Sequence, residues 1–291
     1  KHGLSIIDGL IEDFKTIELV NPYLLGVLFI TSIITTIAYG FLTKTILEAF
    51  KIKLRFKEWF GITCVTNFYN LITPFRGGMI TRAVYLKKRH NFSYTNFLSS
   101  LLGVYALQYC IISFLGIISI GLIYLKYGIF NAIVLLIFLA VFVPFGIIIL
   151  FRVKFPKSKN KVVNKFFEIG NGWNIIREQK RTLSVSIFVI FASMMINVMN
   201  IIILYNVFGI KLTIVQGLFL VTISAVVGLA QITPGNLGVS EAVSVLSALI
   251  IGITPVQSIP VIILNRLIQT IILVVLGPLY SYILIKDGNK K

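Results

Sequence analysis

A chain of 291 residues that is 57% hydrophobic and 13% charged, with a mean hydropathy of +0.94, has too little polar surface for a soluble fold and reads as a polytopic helical membrane protein. The net charge of +17 invites a nucleic-acid reading, but the basic residues sit in short connections between apolar runs and carry no recognition motif, which excludes it. Alternating strands of about ten residues are lacking, against an outer-membrane barrel, and acids are too few for a metal site or a paired-carboxylate hydrolase.

Residues 1–22 place Leu4, Ile7, Leu10, Ile11 and Phe14 at helical spacing and contain no signal-peptide core, so they predict an amphipathic approach to the first span. Five apolar runs, 23–43, 95–125, 128–151, 183–207 and 256–285, are long enough to cross a hydrocarbon core of about 30 Å. Between the first two lies an element of another kind. The stretch 59–73 makes a helix of about 22 Å and 79–86 one of about 12 Å, and the second cannot span. With basic clusters at both feet, the pair predicts a re-entrant hairpin that turns at Pro74-Phe75-Arg76-Gly77-Gly78 near mid-depth.

Two crossings follow, then a basic cytoplasmic loop, 152–182, with a flexible start at "FPKSKNK" and a short interfacial helix within "VVNKFFEIGNGWNIIREQK". The second half repeats the plan: a crossing at 183–209, a broken element over 212–252 and a final crossing from 256. The arm 212–231 is long enough to cross fully, so this second hairpin is expected to reach deeper than the first. Ile72, Thr73, Pro74 and Gly78 match Ile232, Thr233, Pro234 and Gly238 at a constant offset of 160. An odd number of crossings separates the units, so the expected architecture is an inverted-topology repeat, with repeat one at about 23–151 and repeat two at about 183–286 of a single transmembrane domain.

The charges orient it. Lys44, Lys51, Lys53, Arg55 and Lys57, then Arg82 with Lys87–Arg89, then nine basic residues between Arg152 and Arg181, then Lys286, Lys290 and Lys291 all fall on one side. The other side holds only Lys1 and Lys15 among four acids, Lys126 and Lys211, the positive-inside pattern. It places residue 1 outside, and with a first residue that is not Met it predicts a further span upstream. Cys64 and Cys110 lie in apolar segments and read as small buried hydrophobes. The sequon-like "NFS" at 91–93 falls on the cytoplasmic side and reads as a helix start.

Four ionisable side chains, Arg76, Arg82, Glu241 and Arg266, lie in or beside apolar segments, where each costs about 2.5–3.5 kcal/mol on insertion scales. They are expected to face the protein interior. Arg76 occupies the first turn, where Gly77 and Gly78 leave backbone N–H groups able to turn toward an anion. Arg82 lies one helical turn beyond Gly78 and on its side. Glu241 stands in the matching arm of the second element, after the Asn236–Gly238 turn. Arg266 lies in "LNRLIQT" beside Asn265 and Gln269, a polar stripe on the last helix. Two readings stay open: a structural latch between Glu241 and Arg266 or Arg82, and a path for an anionic headgroup held by bidentate arginine contacts. Asn67, Tyr69, Asn70, Thr73, Gln231, Thr233 and Asn236 either add polar contacts or cap the broken ends.

The stretches "PFRGGMITRAVYLKKR" and "ITPGNLGVSEAV" resemble the flippase-like transmembrane region of lysylphosphatidylglycerol synthases, most specifically at Pro74, Gly77, Gly78, Arg82, Pro234, Gly235, Leu237, Gly238 and Glu241. Asn236 stands where that family usually has glycine. The layout matches over essentially the whole chain, apart from the family's usual extra span before residue 23. Larger members join this region to a soluble aminoacyl-transferase domain that the 291 residues do not contain, so the resemblance implies lipid translocation and not lipid synthesis.

The expectation is therefore an all-α, multi-pass protein of the cell membrane, not an enzyme, without cofactor or metal. It would move an anionic phospholipid or a polyprenyl-phosphate-linked lipid whose headgroup is held between the hairpin tips by Arg76, Gly77, Gly78, Arg82, Asn236, Gly238, Glu241 and Arg266, while the repeats rock. Its partners are membrane lipids with anionic headgroups and not nucleic acid; a homo-oligomer and a lipid-modifying enzyme partner stay open. The alternatives are a membrane scaffold that regulates such an enzyme and a small-solute transporter.

Overall fold

A computed structural model describes residues 19–150, 170 and 172–288, and among these the chain is helical with no strand. The helices are α1 (Leu24–Ala49), α2 (Phe56–Ile72), α3 (Gly77–His90), α4 (Tyr94–Tyr127), α5 (Ala132–Leu150), α6 (Lys180–Val207), α7 (Ile214–Val227), α8 (Val239–Ile250) and α9 (Pro255–Gly288). Two short 3₁₀ turns, Gly228–Ala230 and Pro234–Asn236, separate α7 from α8. Five helices, α1, α4, α5, α6 and α9, are long and apolar enough to cross a membrane, and they fall on the five apolar runs of the sequence. The chain is a multi-pass integral membrane protein.

Local chemistry sets the boundaries. Ser93 caps α4, its hydroxyl accepting from the Asn96 amide at 3.1 Å, so "NFS" does start a helix. Gly128, at φ +68°, ends the same helix, and a capping box between Thr213 and Gln216 opens α7. Outward-facing residues such as Ile133, Leu136, Phe188 and Val275 are apolar, as lipid contact requires. Interior hydroxyls are returned to their own helix, as where Thr222 donates to the Leu218 carbonyl at 2.8 Å.

α1 packs on α6, α9 on α2, and α4 on both α5 and α7. Exchanging α1–α4 with α6–α9 maps α1 on α6 onto itself and α9 on α2 onto α4 on α7, while α4 on α5 has no counterpart. The Gln179 side chain donates to the Ala49 carbonyl at 2.9 Å, while the Val20 amide donates to Val207 at 2.9 Å, so α1 and α6 run antiparallel. Small residues let the second pair approach closely. A Cβ on Gly61 would stand 2.8 Å from Tyr280, and one on Gly277 would overlap Phe68.

Glu58, near the start of α2, pairs with His90 at the end of α3 at 3.3 Å, which closes these two helices into a hairpin with both feet together. Arg89 donates to the Asp287 carbonyl at 2.9 Å, bringing the end of α9 to the same place. The basic runs at 51–57 and 87–89 and Lys286 therefore share one end of the bundle. Lys126 and Lys211 lie at the other, where the hydroxyls of Tyr127 and Thr213 are 3.2 Å apart.

Two expectations need correction. The arm 212–231 is not long enough to cross: α7 has 14 residues, about 21 Å, because the helix tightens at Gly228 and stops. Within the basic loop, 172–178 is helical but not interfacial, since Trp173 and Ile176 are buried against Leu42, Ile46 and Leu107. The remainder of that stretch, at 151–169 and 171, and the amphipathic approach at 1–18 lie outside the described residues.

Candidate functional site

Both broken elements turn by the same backbone device. After Pro74, Phe75 and Arg76 adopt left-handed conformations at φ 52° and 54°; after Pro234, Gly235 and Asn236 do so at 55° and 58°. The two pairs stand at the same offset as the prolines. A left-handed residue costs an L side chain about 1–2 kcal/mol, which Asn tolerates best and Phe poorly, so the first turn is the strained one.

The tips touch. The Phe75 amide donates to the Ile232 carbonyl at 3.3 Å, the Gln231 side chain donates to the Asn70 carbonyl at 3.3 Å, and the Arg76 guanidinium donates to the Gly228 carbonyl. On either side of this contact lies a cavity, and Asn67 and Asn70 border both.

The smaller cavity, about 260 Å³, is enclosed by α1, α2, α3 and α4 and takes in Arg76 and Arg82. Arg82 is buried, and its Nε donates to the Thr66 hydroxyl at 3.1 Å and its Nη1 to that of Thr43 at 3.4 Å. Those hydroxyls donate in turn to the carbonyls of Ile62 and Tyr39, so they present only lone pairs to the guanidinium. Arg76 donates to the Tyr105 hydroxyl at 2.6 Å and to that of Tyr109 at 3.5 Å, and lies 5.3 Å from the centre of the Tyr105 ring. Every partner of both arginines is neutral, and no carboxylate among the described residues lines this cavity.

The larger cavity, about 570 Å³, lies among α1, α2, α6, α7, α8 and α9. Its charged pair is Glu241 and Arg266, 3.3 Å apart. Arg266 also donates to the Gly235 carbonyl at 2.7 Å, while Glu241 accepts from the Gly238 amide at 2.7 Å and from Ser240 at 3.0 Å. Glu241 thus caps α8 as well as pairing across to α9.

The structure brings the two bends together but divides the charges. Arg76 and Arg82 share one cavity, Glu241 and Arg266 the other, and the single pocket between the tips is absent among the described residues. Of the two latches considered, the one to Arg266 forms. Gly77, Gly78, Asn236 and Gly238 line neither cavity. The amides of Gly77, Gly78 and Met79 are bonded to the Pro74 carbonyl, the Asn70 side chain and the Arg76 carbonyl, so they do not turn toward an anion. Gly78 instead permits close packing, since a Cβ there would overlap the Thr66 carbonyl. Asn236 is buried, and its side-chain oxygen has no hydrogen-bond partner among the described residues. Reading the sequence missed Tyr105 and Tyr109, a tyrosine pair one turn apart, and Asn197 and Asn200, amides inside an apolar run; that placement was the available signal.

Residues 10–277 match the family described as lysylphosphatidylglycerol synthase TM region. The chain is also 25% identical, over 97% of its length and 91% of the relative's, to a UPF0104 membrane protein of Methanocaldococcus jannaschii. No solved structure matches.

Proposed function

Because the chain belongs to the lysylphosphatidylglycerol synthase TM region family, we propose that it is a lipid transporter, a flippase, for an anionic phospholipid or a polyprenyl-phosphate-linked lipid. The observation that carries this reading is the pair of guanidiniums, Arg76 and Arg82, lining one cavity with only neutral partners. A buried cation without a counter-charge is costly, and phosphate is the group that arginine binds best, through two parallel N–H bonds. The lipid phosphate sits between Arg76 and Arg82 while its tails stay in the bilayer.

On this reading α2–α3 and α7–α8 are re-entrant elements of an inverted repeat. In support, both turns use the same left-handed pair, and the helix contacts exchange between the halves. Arg76 couples binding to movement. It donates to Gly228 on the opposite tip, so a phosphate that competes for its N–H groups weakens the tip contact. The Glu241–Arg266 pair holds the other side until the halves rock.

Purified protein in liposomes containing fluorescent phosphatidic acid tests the reading. Arg82→Gln and Arg76→Gln remove one charge-assisted contact each, and flipping is expected to slow about ten- to a hundredfold. Wild-type rates in Arg82→Gln protein of unchanged thermal stability overturn it.

A further inference from the structure

The larger cavity differs in chemistry from the arginine cavity. Its charges cancel, and both are engaged: Arg266 holds Glu241 and the Gly235 carbonyl, and Glu241 holds the start of α8. What remains for a ligand is uncharged. Asn67 and Asn70 come from α2, Asn197 and Asn200 from α6, and Asn265 and Gln269 from α9. The residues of each pair lie three or four apart, so both face the same way. The side chains of Asn67 and Asn265 make no hydrogen bond among the described residues, that of Asn197 only a long one to Tyr39 at 3.5 Å, and those of Asn70, Asn200 and Gln269 hold one each, to the Gly78 amide, Thr31 and Ser32.

Serine hydroxyls complete the wall from α8. Ser244 and Ser247 donate back to carbonyls of their own chain at 2.7 and 3.0 Å, so each shows the cavity a lone pair, while the Ser240 hydroxyl is shared between the Asn236 carbonyl and Glu241. Carboxamides offer a donor and an acceptor on one plane, and hydroxyls used this way offer an acceptor. An anion or cation would surrender its hydration here without gaining a free counter-charge. A row of C–OH groups, each donating and accepting, loses nothing in the exchange. The volume falls within the range of about 300–1,000 Å³ common for ligand sites.

We infer that this cavity binds a neutral polyhydroxyl group, such as a sugar, inositol or glycerol unit. The inference is independent of the phosphate reading, since it rests on a different cavity and, apart from Asn67 and Asn70, which border both, on different residues. The same chemistry fits a headgroup carried on a lipid and a free polyol from solution.

Native mass spectrometry of the full chain, with defined lipids, provides the test. The probes are glucosyl-diacylglycerol, plain diacylglycerol and phosphatidic acid. The glucosyl lipid is expected to bind about tenfold more tightly than diacylglycerol, a gain of one or two net hydrogen bonds. In Asn197→Leu/Asn265→Leu protein that preference disappears while phosphatidic acid binding is unchanged, and in Arg82→Gln protein the glucosyl preference persists. Asn265→Leu alone breaks no internal hydrogen bond and reports the effect if the double variant fails to fold. No preference for the glucosyl lipid in the wild type, or a preference that survives these asparagine variants, overturns the inference. Loss of phosphatidic acid selectivity bears only on the arginine cavity. Competition by free glucose at millimolar concentration supports a soluble source of the polyol, and its absence supports a lipid-borne one.

Discussion

Gly78→Ala adds one methyl group where there is no room for it. The new Cβ would overlap the Thr66 carbonyl of α2 and stand 2.8 Å from Asn70 Oδ1. A flexible side chain could swing away, but the Thr66 carbonyl is fixed in the α2 backbone, so α3 must lift off α2. Overpacking of this kind costs about 1–3 kcal/mol. Lifting α3 also stretches the 3.0 Å bond from the Gly78 amide to Asn70, worth about 1 kcal/mol more. At roughly 2–4 °C per kcal/mol for a domain near this size, the sum lowers Tm by about 10 °C. Because Arg82 reaches Thr66 from the next turn of α3, the same displacement carries its guanidinium out of place, and flipping should fall with stability. The internal control is Gly121→Ala in α4. No atom lies within 4 Å of its added Cβ, so it should gain about 0.5–1 kcal/mol from helix propensity. Thermal unfolding of the detergent-purified proteins reads both. A Gly78→Ala protein melting at or above wild type refutes the close-approach reasoning, whatever the control does.

Further outcomes follow from the same geometry. Glu241→Ala removes both the cap of α8 and the partner of Arg266 and should destabilise by about 1 kcal/mol, whereas Glu241→Gln keeps an oxygen for the Gly238 amide and should cost less; equal melting points contradict the capping role. Cys64 is fully buried and should resist maleimide in the folded protein, while Cys110, partly exposed, should react first; the reverse order in a mass-resolved labelling course counts against the packing. Cysteines placed at Lys88 and Lys211 should be labelled from opposite faces of sealed vesicles, Lys88 from the cytoplasmic one, and labelling from a common face refutes the separation of basic ends.

The spans were legible because lipid imposes a coarse rule: an apolar run of sufficient length is a helix, and the five runs became α1, α4, α5, α6 and α9. The two bends were legible because proline and glycine interrupt such runs, and both turns formed where the paired "ITP" stretches lie. The length of the second arm was misread, since hydropathy continues through Leu229 and Ala230 while the α-helix ends at Val227 in a 3₁₀ turn. The interior placement of the four charges was readable from insertion cost, but their grouping was not. Arg76 finds its partners on α4 and on the opposite tip, separated from it by 29 and 152 positions, and no local pattern encodes that. Trp173 and Ile176 look amphipathic in a basic stretch, and only the groove between α1 and α4 shows why they are buried.

The wall between the two cavities is a slight one. Beside the packing of Leu71 on Gly235, three hydrogen bonds among the described residues cross the tips, from Phe75, Arg76 and Gln231, and at about 0.5–1.5 kcal/mol net apiece they amount to a few kcal/mol. On the transport reading proposed above, a closure worth so little would part by thermal fluctuation. Traffic through the molecule would then run downhill in either direction, with the lipid gradient alone choosing which leaflet is filled.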